Sequence, residues 1–301
     1  MIPYIISPHN ETQGKYKLIS DFTSNKNQNL DEKTVDSFGA EWKYFHDFSD
    51  DEIKNAGDQY FDIIPKSLLE NATVIDVGCG SGRWSKYILD NYNVKSIDAI
   101  DPSEAIFYSD YMLKEYENVR LSKSSIDELP FDKDSFDFGM SVGVLHHIPN
   151  TREALKKCVE KIKPNGHFYV YLYYNLDNKG ILDKGLLAIA NIVRLLVSKL
   201  PVLMKKMTCD IIACIIYMPF ILLSRFLIKT KLIGIAQKIP LYYYHDKSFY
   251  IIRNDSLDRF GTPLEQRFSK DEIKLMMEKV GLKNIVISEG LPYYHAFGQK
   301  I

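Results

Sequence analysis

Between Thr73 and Tyr174 short apolar runs alternate with amphipathic stretches. Thr73–Val77 is apolar on both faces and closes on glycine, which predicts a strand buried on both sides. Arg83–Asn91 predicts a helix and residues 94–101 a second strand. Pro102-Ser103-Glu104 opens a helix that runs to Glu117. Residues 119–122 and 135–142 predict the third and fourth strands, 150–162 a helix, 163–166 a turn, and 167–174 a fifth strand rich in aromatics. Strands separated by helices imply right-handed crossovers and a parallel sheet.

The flanks read differently. The first 35 or so residues are polar and predict a loosely ordered lead-in. Over residues 38–64 the spacing of Phe38, Trp42, Phe45, Phe48, Ile53 and Tyr60 suits one or two amphipathic helices, which Pro65 ends. The strand rhythm stops near Asn175, and a helix-rich stretch follows. It returns with Ser269 as a helix cap and Glu272 as its capping-box partner. The helix ends at Gly281, and two closing strands occupy 284–288 and 293–299. The expected organisation is lead-in and cap helices over 1–65, a core over 66–175, a helical insertion or cap over 176–250, and closing elements over 251–301. The expected fold is a doubly wound α/β domain with a seven-stranded, mostly parallel sheet, an N-terminal helical cap and an insertion after strand five.

Composition narrows the function without naming it. The chain has 301 residues, 46% of them hydrophobic, enough for a full core. Its 38 basic and 39 acidic residues leave a formal net charge of -1. No global field recruits nucleic acid, so none is expected as a partner. Cys79, Cys158, Cys209 and Cys214 have the spacing of neither a zinc site nor a disulfide framework. The start, Met1-Ile2-Pro3-Tyr4, lacks a charged head before an apolar signal core. A cytoplasmic location is the expectation.

Candidate chemistry begins at Asp76-Val77-Gly78-Cys79-Gly80-Ser81-Gly82. Glycines at alternate positions let the backbone turn and approach a ligand with no Cβ in the way. The loop ends a strand, where open α/β sheets bind ligands. Dinucleotide enzymes place a third glycine three positions after the second, but here that position is Arg83. Asp76 puts a carboxylate beside the bend, which suits an ammonium better than a pyrophosphate.

Four segments, at 74–84, 98–106, 125–148 and 163–172, together resemble the class I S-adenosylmethionine-dependent methyltransferases, in particular the type 11 small-molecule and lipid group. The resemblance implies a Rossmann-like core with S-adenosyl-L-methionine as cofactor. It places Gly78, Cys79, Gly80 and Gly82 under the amino-acid part and Asp76 near its ammonium. Asp101, with Pro102 and Ser103, falls to the ribose; an N-cap before Pro102 is the alternative job for Asp101. Ser125, Ile126 and Asp127 fall to adenine, and Val142 and His146 to the methionine end. A non-catalytic cofactor-binding module on the same fold is the alternative to an enzyme.

His146 and His147 follow the fourth strand and are candidate general bases or packing groups. Methyl transfer mostly needs alignment and desolvation, and a base only when the acceptor arrives protonated. No metal is expected.

Within the insertion, residues 209–228 approach the length and content of a membrane span. A single span would part the strands before and after it, so spanning is not expected. Two readings stay open: helices that cap the acceptor site, or an apolar face over 181–235 resting on a membrane with Lys199, Lys205, Lys206, Lys229 and Lys231 around it. The acceptor is accordingly a small molecule or a lipid-linked one, a quinone or a glycan. Past the insertion, His245 and Asp246 are candidate proton acceptors. Arg253, Arg259 and Arg267 either bind an anionic acceptor or form an Asp–Arg network.

Overall fold

In a computed structural model, which describes residues 1–24, 29–177 and 180–301, contacts divide the chain into two units. One comprises Met1–Asn178 with Leu264–Ile301, and the other Lys179–Pro263.

The first unit opens with β1 (Asn10–Gln13) and β2 (Leu18–Asp21), then α1 (Glu32–Tyr44) and α2 (Asp50–Tyr60). The alternating core follows: β3 (Thr73–Val77), α3 (Arg83–Asn91), β4 (Ser96–Ile100), α4 (Ile106–Met112), β5 (Val119–Lys123), β6 (Phe136–Val142), α5 (Thr151–Glu160) and β7 (Ile162–Tyr171). The second unit is helical among the described residues: α6 (Ile181–Val197), α7 (Val202–Ile212), a π turn at Ala213–Tyr217, α8 (Met218–Lys229), the short α9 (Ile233–Ala236) and α10 (Phe249–Gly261). The first unit closes with α11 (Lys270–Lys279), β8 (Leu282–Ile287) and β9 (His295–Lys300).

The sheet has nine strands in the order β1-β2-β5-β4-β3-β6-β7-β9-β8. Pairing is parallel from β2 to β7 and antiparallel at both margins. The doubly wound reading therefore holds, but the expected seven strands are nine. The two extra strands come from the lead-in. β2 lies beside β5, with Ile19 opposite Leu121. β1 is the edge, paired with β2; both are held by backbone hydrogen bonds, so their polar composition hid them. A second correction concerns residues 163–166. They form a bulge inside β7, where the partner of Phe136 is Ile162 and that of Phe138 is His167.

β3 and β4 are buried at every position, as strands covered on both faces must be. Asp31 caps α1, and the capping boxes Ser49–Glu52 and Ser269–Glu272 start α2 and α11. The core continues through Phe131, Phe136, Leu155, Phe168 and Ile273, which ties α5 and α11 to one face of the sheet.

Candidate functional site

The chain runs outward from β3 to β4 and β5, then returns to β6 on the other side of β3. Residues 78–82 leave β3 at this switch point, the usual ligand crevice of open α/β sheets. Gly78, Gly80 and Gly82 have φ of 82°, 56° and 83°. A Cβ on Gly78 would meet Val144 Cγ2 at 2.5 Å, and one on Gly80 would meet Trp42 Nε1 at 3.1 Å. The glycines thus serve the left-handed backbone and the close approach of α1 and the β6 loop.

The loop is locked to β4. The amides of Gly78 and Cys79 donate to Ile100 O at 2.7 and 2.9 Å. The Gly80 amide donates to Asp101 Oδ2 at 2.9 Å, and Ser109 Oγ donates to Gly80 O at 2.7 Å. Asp101 Oδ1 accepts from the Ser103 amide at 2.9 Å and from its hydroxyl at 2.6 Å. Burial raises the Asp101 pKa, and these three donors oppose the rise. Asp101 therefore binds the next turn, as an N-cap would, and also fixes the glycine loop.

Asp76 is buried and accepts from Ser85 Oγ of α3 at 2.7 Å. Burial pushes its pKa up to about 7, and the nearby Asp101 charge adds to the rise. Cys79 is also buried, with Sγ 3.5 Å from Ser109 Oγ.

Ser125, Ile126 and Asp127 begin the short turn after β5. Asp127 Oδ1 accepts from Lys157 Nζ at 2.8 Å and Oδ2 from the Asn29 amide at 3.0 Å. Both carboxylate oxygens already carry partners. Lys157, Ser85, Ser109 and Val144 are contributors that sequence reasoning missed. Their partners are remote in the chain, and no local motif marks them.

Beyond β6, His146 is fully buried, and neither ring nitrogen has a hydrogen-bond partner among the described residues. Its ring lies on Tyr173 at 3.9 Å between centroids and 4.0 Å from His147. Burial holds its pKa well below the ordinary value, and His147 and Arg267 push the same way. His147 Nδ1 lies 2.7 Å from Leu264 O. Val142 is buried at the end of β6. At Gly143 (φ 77°) a Cβ would meet nothing within 4 Å, so space opens beside this loop. Arg267 stands over the Tyr173 ring and pairs with the buried Glu265 at 2.8 Å.

The second unit holds the remaining candidates. His245 stacks on Tyr242 at 4.5 Å, with Nδ1 2.8 Å from Tyr242 O. Asp246 is half exposed and 3.4 Å from Lys247. Arg253 makes two bonds to Asp210, at 2.8 and 2.9 Å, and Arg259 lies 3.6 Å from Asp255. Arg253 thus pairs with an aspartate inside the second unit.

Residues 75–170 match the methyltransferase domain family. Over 102 residues the chain is 32% identical to a tRNA U34 carboxymethyltransferase of Pseudoalteromonas atlantica, covering 33% of this chain and 31% of that protein. Over 99 residues it is 30% identical to a ubiquinone biosynthesis O-methyltransferase of Rickettsia bellii, covering 33% and 40%. A SAM dependent methyltransferase from Aquifex aeolicus aligns with a TM-score of 0.44 at 15% identity, over 85% of this chain and 100% of that one. The match spans less than half the length of those two sequence relatives. All of the second unit's sequence lies beyond the matched residues.

Proposed function

We propose that the chain transfers a methyl group from S-adenosyl-L-methionine to a small-molecule or lipid-linked acceptor. The observation that carries this reading is the bond from Gly80 to Asp101 at the switch point, inside the methyltransferase domain. That bond fixes a left-handed glycine turn next to a buried carboxylate, the arrangement a cofactor with both an amino acid and a ribose requires.

The residues present fit that cofactor. The glycines keep side chains off the loop, and the free lone pair of Asp101 Oδ2 is an acceptor for ribose hydroxyls. Asp76 is a counter-charge for an ammonium, which would draw its proton off. Ser125, Ile126 and Asp127 would flank adenine, with Asp127 sharing its oxygens between Lys157, Asn29 and the exocyclic amine. Ser103 and Cys79 hold the turns in place, and Pro102 would lie beside the ribose. When bound, the cofactor supplies an electrophilic methyl on a sulfonium. Val142 and the space beside Gly143 would then border the acceptor. His146, neutral and with both nitrogens uncommitted among the described residues, is the group best suited to take a proton from an acceptor hydroxyl. His147, His245 and Asp246 rank behind it because each has a nearer partner.

One relative is named for tRNA and another for ubiquinone biosynthesis, so the acceptor panel must include both kinds. The cytoplasm, at or near a membrane face, is the location this reading favours. Titration calorimetry with S-adenosylmethionine tests the first half. Transfer of labelled methyl to phenolic quinone precursors, prenyl lipids and tRNA tests the second. No cofactor binding by the wild type sinks the reading; binding without transfer to any acceptor leaves a binding module instead.

A further inference from the structure

The second unit buries several charged side chains and exposes many aliphatic ones. On α6, Arg194 is only 9% exposed and donates to Thr262 O at 3.2 Å and to Pro263 O at 2.7 Å. On the same helix Ile189 and Ile192 are each 61% exposed and Leu196 is 66% exposed. Their spacing of three and four residues makes one continuous outward stripe. The pattern repeats on the helix that runs unbroken from Val202 to Lys229. Lys205 is 8% exposed, while Ile215 is 69% and Phe226 63%. Half-buried, Lys206 and Arg253 bond to Asp210, and the Tyr217 hydroxyl bonds to Asp255. A helix in water keeps its charges outside and its aliphatic side chains in. Helices with charges satisfied inside and aliphatics outside need an apolar medium against the outer face.

Three media compete, and charge and chemistry separate them. Between residues 180 and 245 there are nine basic residues and two acidic ones, and no glutamate occurs from 161 to 264. A second copy would set one positive surface against another, which opposes self-association. RNA needs aromatic or guanidinium planes for its bases, whereas the outer stripe is mainly aliphatic. An anionic bilayer offers both acyl chains for the stripe and headgroups for Lys199, Lys229 and Lys231.

The Val202–Lys229 helix is long and apolar enough to cross a bilayer. The flanks of the unit decide against a single crossing. Phe268 N donates to Tyr173 O at 2.9 Å, and Asn175 N donates to Phe268 O at 3.0 Å. The chain enters and leaves the unit at the same place, so one crossing would pull these bonds apart.

We infer that Lys179–Pro263 docks on the surface of an anionic lipid bilayer, with the outer stripe of α6, α7 and α8 among the acyl chains. This does not rest on the methyl-transfer reading. The test is flotation of the full chain with vesicles of phosphatidylcholine alone, and with about a third of the lipid replaced by phosphatidylglycerol. The wild type should float with the anionic vesicles, less with the neutral ones, and less again at high salt. The double variant Ile192→Glu, Phe226→Glu changes only exposed side chains and should lose vesicle binding roughly tenfold or more. Its helix content by circular dichroism should stay that of the wild type, which checks the fold of the second unit, and its S-adenosylmethionine affinity should stay unchanged, which checks the first. Lys199→Glu with Lys229→Glu should remove the preference for anionic vesicles. Wild type that stays off both vesicle types overturns the inference. So does a dimer dispersed by the double variant with no lipid binding, or tRNA binding without vesicle binding. Vesicle binding with no cofactor affinity would overturn the methyl-transfer reading and leave this one standing.

Discussion

The Gly80 amide donates to Asp101 Oδ2 at 2.9 Å, so one buried carboxylate holds both the glycine turn after β3 and the turn after β4. Asp101→Asn keeps the shape and loses the charge. Hydrogen bonds to charged groups are worth about 1.5–3 kcal/mol. The variant should therefore bind S-adenosylmethionine roughly 10–100-fold more weakly by calorimetry. Undiminished affinity would remove Asp101 from the site.

Gly78 pairs a left-handed φ with a close neighbour, Val144. Gly78→Ala should lower stability by more than the ~1–2 kcal/mol typical of a left-handed non-glycine residue, because a clash adds to it. Val144→Ala removes the two nearest atoms, Cγ1 and Cγ2, and leaves only Cβ at 3.0 Å, so the double variant should recover part of the loss. Gly143→Ala, in open space, should show the backbone cost alone. Chemical denaturation of the four proteins checks this, and equal losses for Gly78→Ala with and without Val144 would exclude the clash.

His146 has two buried nitrogens with no partner among the described residues. His146→Phe keeps a ring against Tyr173 and removes both polar atoms. A buried unsatisfied group costs about 1–3 kcal/mol, so the variant should be as stable as wild type or more so. If His146 is the base, turnover should fall by about 10²–10⁴-fold for a hydroxyl acceptor while cofactor affinity holds. Full turnover in the variant assigns His146 to packing.

Asp76 has a folded pKa of about 7, against about 3.9 for an unfolded chain. It takes up a proton on folding between those values. Its contribution to stability is present at about pH 4, falls as pH rises towards about 7, and is then constant. The depressed pKa of His146 acts the other way, removing stability as pH falls below about 6.5. A single wild-type curve mixes the two, so the comparison must be with Asp76→Asn, which does not titrate. From pH 5 to pH 8 the stability difference should move in favour of the variant. A difference that stays constant would mean Asp76 is ionised throughout that range. The same variant should bind S-adenosylmethionine more weakly.

Much of the first unit was legible in the chain. Arg83–Asn91 is a helix with the expected limits, and the Ser269–Glu272 box starts α11 as read. Both signals are local, carried by side chains within one turn of the atoms they satisfy. β1 and β2 were missed because they are selected by backbone pairing, β2 with β5 and the edge strand β1 with β2, which no local pattern announces. The turn signal at 163–166 was real, with Asn165 at φ 67°, but pairing with β6 absorbed it as a bulge.

The site divides the same way. The glycine spacing and the acids Asp76, Asp101 and Asp127 stand in the sequence because each serves a turn at a strand end. Their partners Ser85, Ser109, Lys157 and Val144 come from distant positions and are brought in by packing. The hydrophobic pattern by itself determined that the chain would build a doubly wound sheet with a ligand crevice after β3. Only the tertiary structure decided that Asp101 would clasp Gly80, that His146 would be buried, and that the second unit would turn Arg194 inward and Ile192 outward. Periodicity sets which residues share a face; which face meets the interior depends on contacts between distant segments, and no local pattern encodes that.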